Sequence, residues 1–490
     1  MTYRGRYADF VVESDLVGAA LNFPAPFGKA AADRWPSKVE RTIGRAPGAD
    51  GQPARVDTIK AALGTILNGQ AQVRVGNGVA TLEKVAVGVG SAEVALPRER
   101  GALVAVDLPE IDLDALDELV PHDAGSASAK FVTEFNLRTG KLVAFGRRFH
   151  DVALHARLAG DDWRGQVQSR EIVGDLAWNP KGHGSLVARL ARLELPDAET
   201  PGPAANDTFN ELPALDVVAD NVIRSDRNLG RLVLVAVNEG GDWRIRHCEL
   251  RAPEGSIVAQ GSWRPRGTLP ERTAVSFKVE TSDAGKYLGR FGYTDAVARG
   301  EGTLEGELAW NGPPHGIDYA TLGGTLRLGA GKGQFLKAEP GISRLLGLLS
   351  LQSLGRRTAG DFGDVLGKGF AFDSIDATAK VSRGVMSTQD FVMVGPSAAI
   401  TMKGTTDIAH ETQKLRLRVV PEIGGGVAAA AGIALLNPLI GAGTLLAQQL
   451  LKNPIGQMIA LEYDVSGTWE DPKVVRRTAA VSSDSPFSTN

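Results

Sequence analysis

Apolar residues in this chain recur at every second position, and that spacing limits the fold more than any other feature. Lys414-Leu415-Arg416-Leu417-Arg418-Val419 sets apolar side chains against basic ones in strict alternation. Val152, Leu154, Ala156 and Leu158 alternate with Asp151, Ala153, His155 and Arg157. Val275, Phe277 and Val279 alternate with Ser276, Lys278 and Glu280. Successive strand side chains point to opposite sides of a sheet, so each segment reads as a strand with one dry face and one wet face. Leu232 to Val237 is apolar at every position and reads as a strand covered on both faces. Asn68-Gly69, Gly76-Asn77-Gly78 and Asn311-Gly312 are tight-turn signals between such runs. The pattern predicts a mainly β chain, a long antiparallel meander, and strand twist can curve such a sheet into an elongated groove with its dry faces inward. Val152, Leu154, Ala156, Leu158, Val275, Phe277, Val279, Leu415, Leu417 and Val419 are the candidates to line it.

Helical signals are few. Asp57 to Leu67 is one candidate, and two apolar stretches near the end are the others. Candidate loops are Gly44 to Arg55 and Asp197 to Asn210, each with two prolines, and the Ser-rich tail after Arg477 reads as disordered. Short phrases recur at irregular spacing. Gly174-Asp175-Leu176-Ala177-Trp178-Asn179 returns as Gly306-Glu307-Leu308-Ala309-Trp310-Asn311, and Asp162-Trp163-Arg164 returns as Asp242-Trp243-Arg244. Gly261-Ser262-Trp263 and Gly467-Thr468-Trp469 are shorter echoes. These read as one meander unit copied, with a Trp closing a strand.

Composition narrows the function classes. The 490 residues include 59 glycines and only 6% aromatics, which favours many turns and small inward side chains. A net charge of −3 with mixed signs makes no electrostatic case for nucleic acid. Cys248 is the single cysteine, so the chain has no internal disulfide framework and no thiolate metal cluster. The opening MTYRGRYADF lacks the charged-then-apolar layout of an export signal.

The motifs that resemble catalytic ones fail on inspection. Gly329-Ala330-Gly331-Lys332-Gly333 has Gly where a phosphate loop needs Ser or Thr after its Lys, and it reads as a strand-to-strand turn. His183 lies between glycines without a nucleophile elbow elsewhere. His150 and His155 have the wrong spacing for a helical zinc pair and face opposite sides of a strand. Asp112, Asp114 and Asp117 read as a solvated acidic turn. The sequence therefore assigns no catalytic residue, no metal ligand and no cofactor.

The apolar stretches carry more signal. Val427 to Leu451 holds no charge, includes Leu435, Leu436, Leu439, Ile440, Leu445 and Leu446, and is interrupted by Asn437-Pro438. It is long enough for a membrane span of about 20 residues, but Pro438 fits two short helices better. Ile342 to Leu354, with Leu345, Leu346 and Leu349, reads as an amphipathic helix flanked by Arg344, Arg356 and Arg357. Two readings stay open for both stretches: caps over the sheet end, or contact with a membrane surface.

Several phrases resemble the AsmA-like region of the YhdP family. They include Gly341-Ile342-Ser343-Arg344-Leu345-Leu346-Gly347, Asp361-Phe362 and Gly367-Lys368-Gly369-Phe370-Ala371-Phe372-Asp373. Asp390-Phe391, Met393, Gly395-Pro396, Arg416 to Pro421, Asn453-Pro454 and Gly467-Thr468-Trp469 agree. So do Ser14-Asp15-Leu16-Val17-Gly18 with Pro24, Pro26, Gly28 and Lys29, and Leu212-Pro213 with Asp216, Leu229-Gly230 and Trp243. The resemblance implies an AsmA-like repeating β-groove over residues 1–335, a C-terminal AsmA-like region over 336–477 and a tail over 478–490. It also implies a periplasmic protein of a Gram-negative envelope, anchored to the inner membrane by an N-terminal helix absent from this chain. Such a protein would hold phospholipid acyl chains and take part in their transport toward the outer membrane, with unidentified envelope proteins as partners. A structural scaffold for outer-membrane assembly, its apolar faces packed on each other, is the alternative.

Overall fold

The computed structural model describes residues 2–4, 7–22, 27–47, 53–76, 79–117, 131–144, 146–194, 196, 212–265, 267, 270–294, 296–314, 316–336, 370–396, 398–421 and 460–477. Two compact units divide the chain, Met1–Ser225 and Asp226–Asn490. The expected loop Asp197 to Asn210, both apolar stretches and the tail lie outside the described residues, and with them Leu345, Leu346, Leu349, Leu435, Leu436, Leu439, Ile440, Leu445 and Leu446.

In the first unit the strands are β1 (Thr2–Arg4), β2 (Tyr7–Ser14), β3 (Ser37–Pro47), β4 (Pro53–Leu63), β5 (Leu67–Gly76), β6 (Val79–Gly90) and β7 (Gly101–Asp112). Helix α1 (Leu113–Asp117) precedes β8 (Val132–Ala144), β9 (Arg147–Ala159), β10 (Asp162–Gln168), β11 (Ile172–Asn179), β12 (Ser185–Glu194) and β13 (Ala214–Arg224). Each strand hydrogen-bonds to the next in chain order.

The meander is antiparallel except at three joins, β6–β7, β7–β8 and β12–β13, which are parallel. This corrects the wholly antiparallel expectation, and connection length explains it. A two-residue turn can only reverse the chain, whereas ten or more residues can carry it back to start a parallel strand. Residues 91–100 do so between β6 and β7. Two amides on the face opposite Gly69 hold that crossover to the sheet: Asn68 Nδ2 donates to Ala92 O at 2.8 Å and Gln70 Nε2 to Val94 O at 2.9 Å.

Three local expectations are overturned here. Asp57 to Leu67 is not a helix, because β4 runs to Leu63, paired with β3 on one side and β5 on the other. The β-branched Val56, Thr58 and Ile59 fit that setting, and two ladders of hydrogen bonds outweigh local propensity. The turn falls at Gly64-Thr65-Ile66, not Asn68-Gly69, and Gly64 takes φ +55°. The Gly44–Arg55 loop is shorter than expected, since β3 and β4 stay in register to Pro47 opposite Pro53.

In the second unit β14 (Arg227–Glu239), β15 (Asp242–Ala252), β16 (Gly255–Arg264) and β17 (Arg272–Thr281) lead to helix α2 (Ala284–Arg290). There follow β18 (Val297–Arg299), β19 (Gly302–Trp310), β20 (Gly323–Ala330), β21 (Gly333–Phe335) and β22 (Phe370–Phe372). The last six are β23 (Ser374–Ser382), β24 (Val385–Val394), β25 (Ala398–Asp407), β26 (Thr412–Pro421), β27 (Leu461–Thr468) and β28 (Pro472–Arg477). The main sheet runs β14, β15, β16, β17, β19, β20, β23 and on to β28, antiparallel throughout. β18, β21 and β22 form a small separate sheet. The glycine-rich Gly329–Gly333 links β20 to β21, a strand-to-strand connection as its composition indicated. In the all-apolar run of β14, Ala236 is fully buried while Leu232, Val233, Leu234, Val235 and Val237 are each half-buried, so among the described residues the expected double cover is incomplete.

Helix α2 escaped the sequence reading, although Asp283 is a plain N-cap whose carboxylate accepts from Lys286 N at 3.0 Å. Four of the recurring Trp phrases meet in pairs at the open ends of hairpins. Trp163 pairs directly with Trp178 and Trp243 with Trp263. The Asp before each first Trp bonds the residue after the second: Asn179 donates to Asp162 at 2.7 Å, and Arg264 to Asp242 at 3.4 Å.

Charged side chains share the apolar face of the first unit at β3 and β4. Asp57, 5% exposed, accepts from Arg55 Nη2 and Arg41 Nη2, each at 2.6 Å. Burial works against its charged form, but the hydrogen bonds from Arg55 and Arg41 outweigh it and hold the carboxyl below its usual range. The stabilisation is therefore present above the unfolded carboxylate pKa and lost as pH falls through the lowered native value.

Asp57→Asn is expected to lower the stability of the first unit by about 1–3 kcal/mol at neutral pH. Urea unfolding should show that deficit shrinking in acid, whereas a pH-independent deficit would mean that the ion pairs do not set it. Gly324 holds φ +147° with Glu307 O only 1.9 Å from where a Cβ would stand, so Gly324→Ala should cost about 2–4 kcal/mol in thermal unfolding.

Candidate functional site on the apolar face

Residues directly opposite one another in a ladder share a face, so the register traces which side chains line up across a sheet. In the first unit one such row reads Val12, Val39, Ala61, Gly69, Val87, Val104, Phe135, Ala156, Gly165, Leu176, Ala188, Val217, one residue from every strand from β2 to β13. No member is polar. A second row beside it runs Val89, Val106, Leu137, Leu154, Val167, Gly174, Leu190 and Ala219. At about 4.8 Å per strand the first row extends roughly 50 Å along the sheet.

The opposite face of the same strands is wet. Glu134 pairs with Arg157 at 3.7 Å and Arg189 with Asp216 at 2.9 Å. Gln166 donates to Asp175 at 3.0 Å, and His155 contacts Asn136. His150 lies on the other side of β9, on the face of Val152 and Leu154, and meets Glu171, Nδ1 to Oε1 at 2.7 Å, so the two histidines serve separate partners. Asp112 and Asp114 accept from the amides of Ala115 and Gly146. Among the described residues no cluster can hold a metal ion.

The second unit repeats the arrangement with margins on both sides. Its rows are Ala236, Ile245, Gly261, Val275, Leu308, Gly324; Leu234, Cys248, Ala259, Phe277, Gly306, Leu326; and Leu232, Leu250, Ile257, Val279, Leu304, Leu328. Residues two apart along a strand are about 7 Å apart, so three rows make a floor about 14 Å wide. Phe277 lies across Gly306, where a Cβ would stand 2.8 Å from its ring. Along one margin Trp243, Trp263 and Trp310 are buried, with Trp263 Nε1 donating to Glu271 and Trp310 Nε1 to Pro313 O. Along the other, Tyr287 of α2 sits over Gly255, its phenol pushed up to about 12 by burial. Cys248 stands in the middle row, and burial pushes its thiol up as well.

Exposure separates this floor from an ordinary core. Phe135, Leu137, Leu154, Val167, Leu176, Phe277, Leu304 and Leu326 are all half-buried. Each forgoes on the order of 1 kcal/mol of burial that a covering layer would supply. Contiguous apolar surface left open on this scale marks a surface for apolar ligands or partners. Among the described residues the first unit's face is closed at β12 and β13, where Ala188, Leu190, Val217 and Ala219 are buried, and the second unit's face closes toward the chain end. There Ile375, Met393, Ile400, Leu417, Val419, Tyr463 and Val465 form a packed cluster with Val297, Phe335 and Phe372 of the small sheet against it.

The residues singled out from sequence fall as follows. Val152 is buried, while Leu154, Ala156, Leu158, Val275, Phe277, Val279 and Leu415 are half-buried on the apolar face. Leu417 and Val419, 4% and 1% exposed, belong to the packed cluster. Sequence reading missed Val87, Val104 and Phe135, because β6, β7 and β8 lack clean polar alternation. No helix among the described residues is long and apolar enough to cross a membrane.

Comparison with known proteins agrees with the phrases noted in the sequence. The family model described as YhdP protein matches residues 3–474. The "Intermembrane phospholipid transporter YhdP" of Escherichia coli (strain K12) is 33% identical over 395 residues, covering 77% of this chain and 31% of that protein. The chain thus spans about a third of its relative's length. No solved structure matches. A mainly β chain with this register, matched by the family model over nearly its whole length, belongs to the YhdP family.

Proposed function

We propose that this chain is a segment of a phospholipid conduit between the two membranes of a Gram-negative envelope, and that the apolar rows are the bed on which acyl chains lie. The observation that carries this reading is the unbroken apolar row from Val12 to Val217, exposed at Val12, Val39 and Ala61 and half-buried from Gly69 to Leu176 before it closes at Ala188 and Val217. Its repetition in the second unit, between a Trp margin and α2, supports it. Tails on a dry floor and headgroups toward a wet edge need no chemical step, so we assign the chain no catalytic residue. The dry faces would line a groove, most of all through Leu154, Ala156, Leu158, Val275, Phe277 and Val279. We place it in the periplasm, held to the inner membrane, with envelope proteins meeting its ends. The apolar stretches 342–354 and 427–451 remain, in this proposal, the parts suited to capping the sheet or touching a membrane surface.

The scaffold reading keeps one specific support, the packed cluster around Leu417 and Val419. That end behaves as a core, so a charge there would test folding rather than transport. Residues on the open floor discriminate the two readings better.

The chain purified from a Gram-negative envelope should carry phospholipid detectable by extraction and mass spectrometry. Phe277→Glu and Leu154→Asp should retain the strand signal in circular dichroism yet lose at least about fivefold of that lipid, while Lys278→Ala on the opposite face should not. Lipid-free parent protein with intact fold would favour the scaffold.

A further inference from the structure

At one corner of the first unit arginines gather on the apolar face, and nothing in a purely apolar bed calls for them. Arg41 lies opposite Ile59, in the row adjoining Val39 and Ala61. Its guanidinium stands 5.8 Å from the Phe10 ring centroid and donates to Asp57. Arg55 is two residues from Asp57 on β4 and directly opposite Arg45 on β3. Arg45 is exposed, with no hydrogen-bond or ion-pair partner among the described residues.

Like charges directly across a ladder destabilise a sheet, so the Arg45–Arg55 pairing costs stability in the empty protein. Asp57 answers that cost in part, orienting Arg41 and Arg55 through hydrogen bonds of 2.6 Å while they remain 27% and 20% exposed. Three guanidinium groups with one carboxylate carry a net positive charge at the side of the apolar rows. Fixed guanidinium forks present the geometry that binds phosphate oxygens in pairs. From Val39 to Arg45 is six residues of strand, about 20 Å, so the charge and the apolar row are a lipid's length apart.

We propose that Arg41, Arg45 and Arg55 form a binding site for the phosphate of a phospholipid headgroup, with the attached acyl chains on the Val39–Ala61–Gly69–Val87 row. This rests on the reading of the apolar face as a lipid bed and adds to it a fixed point where the headgroup is recognised. Asp57 is a positioning residue: it aims two of the arginines and does not touch the ligand. The site selects for phosphate-bearing lipids over neutral diacylglycerols, and it orients the lipid with its head at the β3–β4 margin.

Binding of three probes to the delipidated chain by calorimetry tests this: dihexanoyl phosphatidylglycerol, dihexanoylglycerol and inorganic phosphate. The expected result is that Arg45→Glu weakens dihexanoyl phosphatidylglycerol about tenfold or more, leaves dihexanoylglycerol unchanged, and that Lys60→Ala, on the opposite face of β4, changes neither. Unchanged phosphatidylglycerol affinity in Arg45→Glu would overturn the headgroup site while leaving the lipid bed standing. Failure of the parent to bind either lipid would overturn the bed itself. Inorganic phosphate bound as tightly as the phospholipid, and lost in Arg45→Glu, would mean a free-anion site and overturn the lipid assignment.

Discussion

Backbone register is the constraint on which everything else depends. Because a residue and its ladder partner must point to the same side, a shift of one residue in any strand would send its apolar set to the wet face. The first unit keeps that alignment through twelve strands, across three parallel joins and across bulges such as Val173/Gly174 and Gln72/Val73. The bulges matter because each inserts a residue without breaking the row. Val73 still meets Leu82, and Gly174 still meets Leu190. Glycines at positive φ make the tightest of these adjustments, as at Gly174 and Gly324, where any side chain would strike the neighbouring carbonyl.

The same register separates two kinds of energetics. On the wet face, ion pairs such as Lys278 with Glu280 and Glu305 are largely exposed and contribute little each, but they keep a long sheet soluble on that side. On the dry face most of the stabilisation comes from neighbour-on-neighbour packing within one layer. Among the described residues of the second unit, β18, β21 and β22 add a second layer over the cluster around Ile400 and Val419. In that unit the sheet is thus a sealed core around Ile400 and Val419 and a half-open apolar surface around Phe277, Leu304 and Leu326. That contrast within a single sheet is what argues for a bed rather than an unfinished sandwich.

Much of this was legible in the sequence, and the failures have physical causes. Alternation located the strands around Val152–Leu158, Val275–Val279 and Leu415–Val419, because one face was apolar and the other charged. It failed at Asp57–Leu67, where Asp57 and Lys60 broke the pattern: Asp57 faces the dry side, satisfied by arginines from β3 and β4 that no local window can reveal. The parallel joins were invisible because they depend on where a crossover lands, and Asn68 looked like a turn residue although its amide holds that crossover in place. Leu417 and Phe277 are indistinguishable by pattern. Only the small sheet, built from segments far apart in sequence, makes one a core residue and the other open floor.

The most direct test of the account uses the single cysteine, which stands in the middle row between Leu234 and Ala259. A benzophenone maleimide coupled to Cys248 would be irradiated after the chain is loaded from phospholipid vesicles, and the product weighed intact. An open lipid bed predicts adducts of phospholipid mass at that position. It predicts none when the cysteine is moved to the charged face by Cys248→Ala with Lys278→Cys. Absence of adducts at Cys248, or equal yields on the two faces, would contradict the claim that this face of the sheet holds lipid.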